Sequence, residues 1–224
     1  IRRIALVGDM ADRFADLVEA ANRASDGSDD DVIGRCIGSA GIGIAIRRLQ
    51  NELVRRGYVT TRVLAGPQDL SAGVLTLTLI PGRVRAIRFA AGTSTRATQW
   101  NAAPLQPGEL LNLRAIEQAL ENFKRVPTAD ADIRIEPAEG GDARPGDSDV
   151  VIVWRQAFPL RVNLSVDNSG LESTGRYQGA ATLSWDHALT LNDLFYVSAN
   201  RCLFESSPGP RGTEGHTVHY SLPF

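Results

Sequence analysis

The chain has 224 residues, 43% of them hydrophobic, and a formal net charge of −2. That length holds two small domains and part of another, and the near-neutral balance excludes a nucleic-acid binder working through a global positive field. No apolar run of about 18 residues occurs, so no transmembrane helix is expected, and Cys36 and Cys202 fall in different expected domains, which argues against a mutual disulfide. Cys36 is expected to pack as a small hydrophobe.

Residues 1–82 read β-α-α-β-β. Ile1–Val7 is a strand ending at Gly8-Asp9; because Ile1 opens it directly, any leader peptide is expected to have been removed. Phe14, Leu17, Val18 and Ala21 share a helical face. Ser25–Asp31 is an acidic loop whose Asp26, Asp29, Asp30 and Asp31 lack the spacing, glycine and glutamate of a calcium loop. Gly38, Gly41 and Gly43 lead into a helix without the strand or the later acidic residue of a dinucleotide site. That helix carries Ile42, Ile46, Leu49 and Leu53 on one stripe, Arg55 and Arg56 in its last turn, and Gly57 as its C′ residue. Strands Val59–Leu64 and Val74–Ile80 follow, separated by the Gly66-Pro67 turn, and Pro81-Gly82 closes the unit.

Residues 83–157 repeat this order. Val84–Phe89 is a strand, Thr95–Trp100 a short helix, and Pro104–Gly108 a linker. Leu113, Ile116, Leu120 and Phe123 form a helical stripe capped by Asn112 and ended by Val126-Pro127. Ile133 and Ile135 lie on the strand Asp132–Glu136, and Val150–Trp154 is the closing strand after the Gly140–Gly146 loop. Two units of about 75–80 residues with one element order make a tandem repeat of pattern rather than of letters.

Residues 158–224 alternate strictly. Leu160, Val162, Leu164 and Val166 interleave with Arg161, Asn163, Ser165 and Asp167; Tyr177, Gly179, Ala181, Leu183 and Trp185 interleave with Gln178, Ala180, Thr182, Ser184 and Asp186. Two more such segments surround Phe195, Val197 and Ala199, and Val218, Tyr220 and Leu222. Antiparallel strands of roughly 9–11 residues with this alternation suit the wall of a transmembrane β-barrel. Four strands cannot close in lipid, so a larger whole is expected. Tyr177 and Trp185 read as interfacial anchors. His216 and His219 fall on opposite strand faces, which with His187 gives no metal site.

The ordered set Cys36-Ile37-Gly38, Gly41-Ile42 and Arg56-Gly57-Tyr58-Val59-Thr60-Thr61-Arg62 resembles the first POTRA domain of TpsB proteins, the outer-membrane transporters of two-partner secretion. Gln68-Asp69-Leu70, Gly73-Val74-Leu75 and Ile80-Pro81-Gly82 continue the pattern. Asp167-Asn168-Ser169-Gly170 with Gly175-Arg176-Tyr177 resembles that family's first barrel hairpin, and Tyr220-Ser221-Leu222-Pro223 its fourth strand. The resemblance implies an α+β architecture: a first POTRA domain over 1–82, a second over 83–157, and the first four strands of a barrel over 158–224. The family's plug helix, its pore-loop Val-Arg-Gly-aromatic motif and most of its barrel are not in this stretch. The implied topology puts Asp167–Arg176 and Glu205–Gly215 outside the cell and His187–Asp193 on the periplasmic side.

The implied function is recognition of an unfolded exoprotein of the TpsA type in the periplasm and its passage through an outer-membrane pore. In a POTRA sheet the strand after the second helix lies at an edge, where an extended client adds itself as a further strand. The expected contacts are Tyr58, Val59, Thr60, Thr61, Arg62 and Val63, an apolar groove against Leu49 and Leu53, and Ile133, Arg134 and Ile135 in the second repeat. The competing reading turns Val59, Thr61 and Val63 into the domain core. No phosphate loop, nucleophile elbow or Cys/His pair occurs, so no enzyme activity, cofactor or small-molecule substrate is expected; outer-membrane lipid is. The alternatives are a barrel-assembly factor, which also carries POTRA domains, and a soluble periplasmic scaffold.

Overall fold

The computed structural model describes residues 1–23, 30–94, 96–171, 175–203 and 212–223. Asp26, Asp29, Thr95 and most of the expected outer segment Glu205–Gly215 lie outside them.

In the first repeat, β1 (Arg3–Gly8) and β3 (Val74–Ile80) pair in parallel from Arg3↔Val74 to Gly8↔Leu79, and β2 (Arg62–Leu64) pairs antiparallel with β3, giving the order β1-β3-β2. The alternation of β3 sets the core. Leu75, Leu77 and Leu79 are buried together with Ile4, Phe14, Leu17, Ala45, Leu49, Leu53 and Val63. Phe14 and Leu17 come from a 3-10 turn, Ala11–Leu17, that runs into α1 (Val18–Asn22). Ala45, Leu49 and Leu53 come from α2 (Ser39–Arg55) at four-residue spacing. Gly57 ends α2 at φ 90°, with Tyr58 N–H donating to Leu53 O at 2.9 Å and Gly57 N–H to Val54 O at 2.9 Å, the paired bonds of a Schellman cap.

Two expectations for this repeat are corrected. The strand expected over Val59–Leu64 is only Arg62–Leu64, because Val59 and Thr60 turn and the buried Thr61 hydroxyl accepts the Gly82 N–H at 3.1 Å. Cys36 is exposed rather than packed; both cysteines are free thiols.

In the second repeat, β4 (Arg83–Phe89), α3 (Leu113–Phe123), β5 (Ala129–Pro137) and β6 (Asp147–Gln156) give the sheet order β4-β6-β5. Central β6 is buried from Ser148 to Ile152 and again at Trp154. Arg85 clamps Asp149 through Nε at 2.9 Å and an NH2 group at 2.7 Å, a bidentate pair tying β4 to β6 that holds the Asp149 carboxyl below its usual range. The helix expected over Thr95–Trp100 does not form in its described residues, 96–100. Ser94, Arg96 to Asn101 make turns instead, and their polar groups are engaged elsewhere, as described below.

By contact density the chain divides into two compact units, 1–88 with 105–117 and 133–151, and 89–104 with 118–132 and 152–224. Within the first, Asn112 caps α3 by accepting the Arg114 N–H at 2.9 Å and donates to Arg56 O at 3.1 Å, while Leu113 N–H reaches Gly57 O at 2.8 Å. The start of α3 is thus bonded to the end of α2. Within the second, β7 (Leu160–Asp167), β8 (Gln178–Asp186), β9 (Leu194–Cys202) and β10 (Glu214–Ser221) form an antiparallel meander.

Candidate functional site

The edge strands stand where the sequence puts them: β2 bonds only β3 within its sheet, and β5 only β6. The side chains distribute unevenly. Thr61 and Val63 are buried, and Leu49 and Leu53 are completely so, packed under the sheet. The expected apolar groove against Leu49 and Leu53 is therefore closed, and Thr61 and Val63 serve the core, because side-chain period 2 puts them on the face that α2 covers. Arg62 and Leu64 point outward, Leu64 being 52% exposed. Tyr58, Val59 and Thr60 precede the strand and are half-buried; Tyr58 packs edge-on against Phe14 with ring centroids 5.0 Å apart and borders a cleft with Arg13, Arg56 and Asn112. In β5, Ile133 and Ile135 are half-buried and Arg134 is exposed.

Sequence reasoning missed Gln50. From α2 its Nε2 donates to Thr61 O at 2.8 Å, and its Oε1 accepts the Val63 N–H at 3.3 Å. Gln68 makes a comparable pair with Thr76, donating to its carbonyl at 2.9 Å and accepting its N–H at 2.7 Å. Thr76 lies two residues beyond Thr78, the last β3 partner of β2, so the Gln68 amide extends that ladder.

A second feature missed in the sequence is the link between the 96–101 segment and the 187–193 turn. Arg96 donates to His187 O at 2.8 Å, Asn101 to Leu191 O at 2.5 Å, and Thr98 to Thr190 O. Asn192 returns two bonds, to Thr98 O at 2.8 Å and Asn101 Oδ1 at 2.9 Å. Asp193 is buried and accepts the Leu189 and Leu191 N–H groups, each at 3.0 Å. His187, Thr190 and Asn192 all take left-handed backbone, at φ 60°, 63° and 54°. Next to the turn, Asp186 is buried and takes a bidentate pair from Arg161, with both distances 2.9 Å, plus the Thr128 hydroxyl at 2.9 Å. The clustering of Asn192 and Asp193 in a turn was the available sequence signal.

The register of the meander sorts its faces. One face carries the rows Leu160–Trp185–Phe195–Tyr220, Val162–Leu183–Val197–Val218 and Leu164–Ala181–Ala199–His216. The other carries Arg161–Ser184–Tyr196–His219 and Asn163–Thr182–Ser198–Thr217. His216 and His219 do fall on opposite faces, and Tyr196 stacks on His219 with centroids 4.7 Å apart. Tyr177 has the parity of Trp185 at the opposite end of β8, about 27 Å away at ~3.4 Å per residue.

Residues 146–224 match the haemolysin secretion/activation protein family ShlB/FhaC/HecB, 19–82 the ShlB-type POTRA domain, and 83–137 a POTRA domain. Among curated proteins, the chain is 42% identical over 191 residues to the outer membrane transporter CdiB-2 of Burkholderia pseudomallei, an alignment covering 85% of this chain and 32% of that protein. It is 29% identical over 191 residues to the hemolysin transporter protein ShlB of Serratia marcescens, again over 85% of this chain and 32% of that protein. Among solved structures, CdiB from Escherichia coli superposes with a TM-score of 0.78 at 29% identity, covering 100% of this chain and 39% of that one. The chain thus spans about a third of the length of the curated relatives it matches. It belongs to the TpsB family of two-partner secretion transporters, with two POTRA domains followed by the opening antiparallel strands of the barrel.

Proposed function

We propose that this chain is the recognition and pore-opening part of an outer-membrane protein transporter. Residues 1–82 and 83–157 are its periplasmic POTRA domains, and 158–224 contribute the first strands of a barrel wall. An unfolded exoprotein docks as an added strand on β2 and β5, meeting backbone groups first and then the outward side chains. Tyr58, Val59, Thr60, Arg62 and Leu64 flank one edge; Ile133, Arg134 and Ile135 flank the other. Arg62 and Arg134 steer an acidic client.

The observation that carries this reading is the two-faced meander directly after two edge-strand sheets. Its apolar face suits lipid. Its polar face, rich in Ser, Thr and Asn, lets an unfolded chain slide past without a deep electrostatic trap. No nucleotide site is implied, and transport draws on client folding outside. The secretion-family match over 146–224 favours this reading over barrel assembly.

The test is calorimetry on the full chain in detergent micelles, titrated with the unfolded secretion domain of a cognate exoprotein. Val63→Pro is the key variant, because the Val63 N–H points away from β3 and its loss spares the ladder. Binding that this proline weakens supports the reading. Binding of unfolded barrel proteins but not of the exoprotein would overturn it.

A further inference from the structure

Resting on the docking reading above, we propose that Gln50 is a displaceable latch on the outer edge of β2, which sets how readily the first POTRA domain takes a client strand. In an antiparallel pair, backbone groups alternate between facing the partner strand and facing away. Thr61 O and Val63 N–H face away from β3, since both reach Gln50 on α2. These are the acceptor and donor that a strand running parallel to β2 engages around Arg62. The side-chain amide therefore occupies the hydrogen-bonding positions of an incoming peptide.

The contrast with Gln68 sharpens the assignment. Gln68 pairs with Thr76 on the inner side, continuing a ladder that no client uses. Gln50 instead covers outward groups of a three-residue strand. It is delivered by α2, whose Leu49 and Leu53 are locked in the core, so its amide leaves the edge by side-chain rotation alone. One bond is firm at 2.8 Å and the other long at 3.3 Å, a pairing that an extended backbone with two aligned groups improves upon. While closed, the latch also keeps the edge from pairing with a second copy of the chain.

The experiment uses the full chain in detergent micelles and three variants, Gln50→Met, Gln50→Glu and Gln68→Met. Amide hydrogen exchange reads the latch without any client: Val63 exchanges faster in Gln50→Met than in the parent, stays protected in Gln50→Glu, whose carboxylate still accepts the Val63 N–H while losing the donor to Thr61 O, and stays as slow in Gln68→Met. Calorimetry with the unfolded secretion domain then reads the gate. Gln50→Met binds about three- to tenfold tighter, the effect of removing one or two modest competing hydrogen bonds, while Gln68→Met, which also loses a bonded amide, gains nothing. A merely structural Gln50 would lower stability without tightening binding. Val63 exchange that Gln50→Met leaves unchanged, or binding that it leaves equal or weaker in a folded chain, overturns the latch and leaves the docking reading standing. Faster Val63 exchange with no binding by parent or variants overturns the docking reading itself, and the gating role with it.

Discussion

His187 and Arg96 bond each other reciprocally: the imidazole Nε2 donates to Arg96 O at 2.7 Å, and the Arg96 guanidinium donates to His187 O at 2.8 Å. A carbonyl only accepts, so Nε2 carries the proton and Nδ1 is bare. That Nδ1 is buried without a hydrogen-bond partner among the described residues. The ring lies 4.8 Å from the Trp154 ring. This pair is a joint between the β8–β9 turn of the meander and the segment that starts at Arg96.

The joint is acid-sensitive. Burial pushes the His187 pKa below its ordinary 6.5, with the Arg96 carbonyl and Asp193 opposing that shift in part. A neutral buried histidine costs nothing above pH 6.5, where the unfolded chain is neutral too. Below it the unfolded state takes up a proton that the folded state refuses, so stability falls as pH drops. Protection factors of the Leu189 and Leu191 amides are expected to decline from pH 7 to about 5.5, and His187→Gln, which does not titrate, is expected to remove that decline. Equal pH slopes in both proteins would refute the assignment.

Gly57 does two jobs at the α2–α3 joint. Its φ of 90° suits only glycine, and an added Cβ would sit 2.6 Å from Asn112 Oδ1. Gly57→Ala is expected to cost about 2 kcal/mol or more by urea unfolding. Asn112→Ala loses a helix cap, about 1 kcal/mol. The double variant should cost less than the sum, because the clash disappears with the asparagine. Strict additivity would mean that backbone strain alone explains Gly57.

Thr190 sits at φ 63°, an unfavourable place for a β-branched residue. Thr190→Asn keeps the backbone and relieves that strain. A gain of about 0.5–1 kcal/mol is expected, read as a higher melting temperature; a loss would show that the threonine side chain makes a contact that outweighs the strain.

The two faces of the meander predict opposite tolerances. Leu183 and Thr182 are adjacent, yet the register puts Leu183 in the row with Val162, Val197 and Val218 and Thr182 in the row with Asn163, Ser198 and Thr217. In the complete barrel, Leu183→Arg is expected to cost about 2–4 kcal/mol for folding into lipid vesicles, while Thr182→Arg is expected to be near neutral. Equal costs would mean that the apolar face does not meet lipid.

The sequence alone determined the periodic parts. Strict alternation in β7 to β10, the four-residue stripe of Leu49 and Leu53 and the glycine after Arg56 are local signals, because side-chain period and left-handed backbone are properties of a few consecutive residues. The family was legible for the same reason, as an ordered set of such signals. Tertiary structure decided what those residues are free to do. Val63 lies on the edge strand and Thr61 directly before it, but only packing under α2 shows that they belong to the core. Gln50 is one polar residue on a helix until the fold sets it 11 residues away in sequence against Thr61. Arg96 and His187 are 91 residues apart, and the same long-range bonds drew the 96–101 segment out of its expected helix. Hydrogen bonds between distant segments leave no period in the sequence, so the joint and the latch become visible only once the chain has folded.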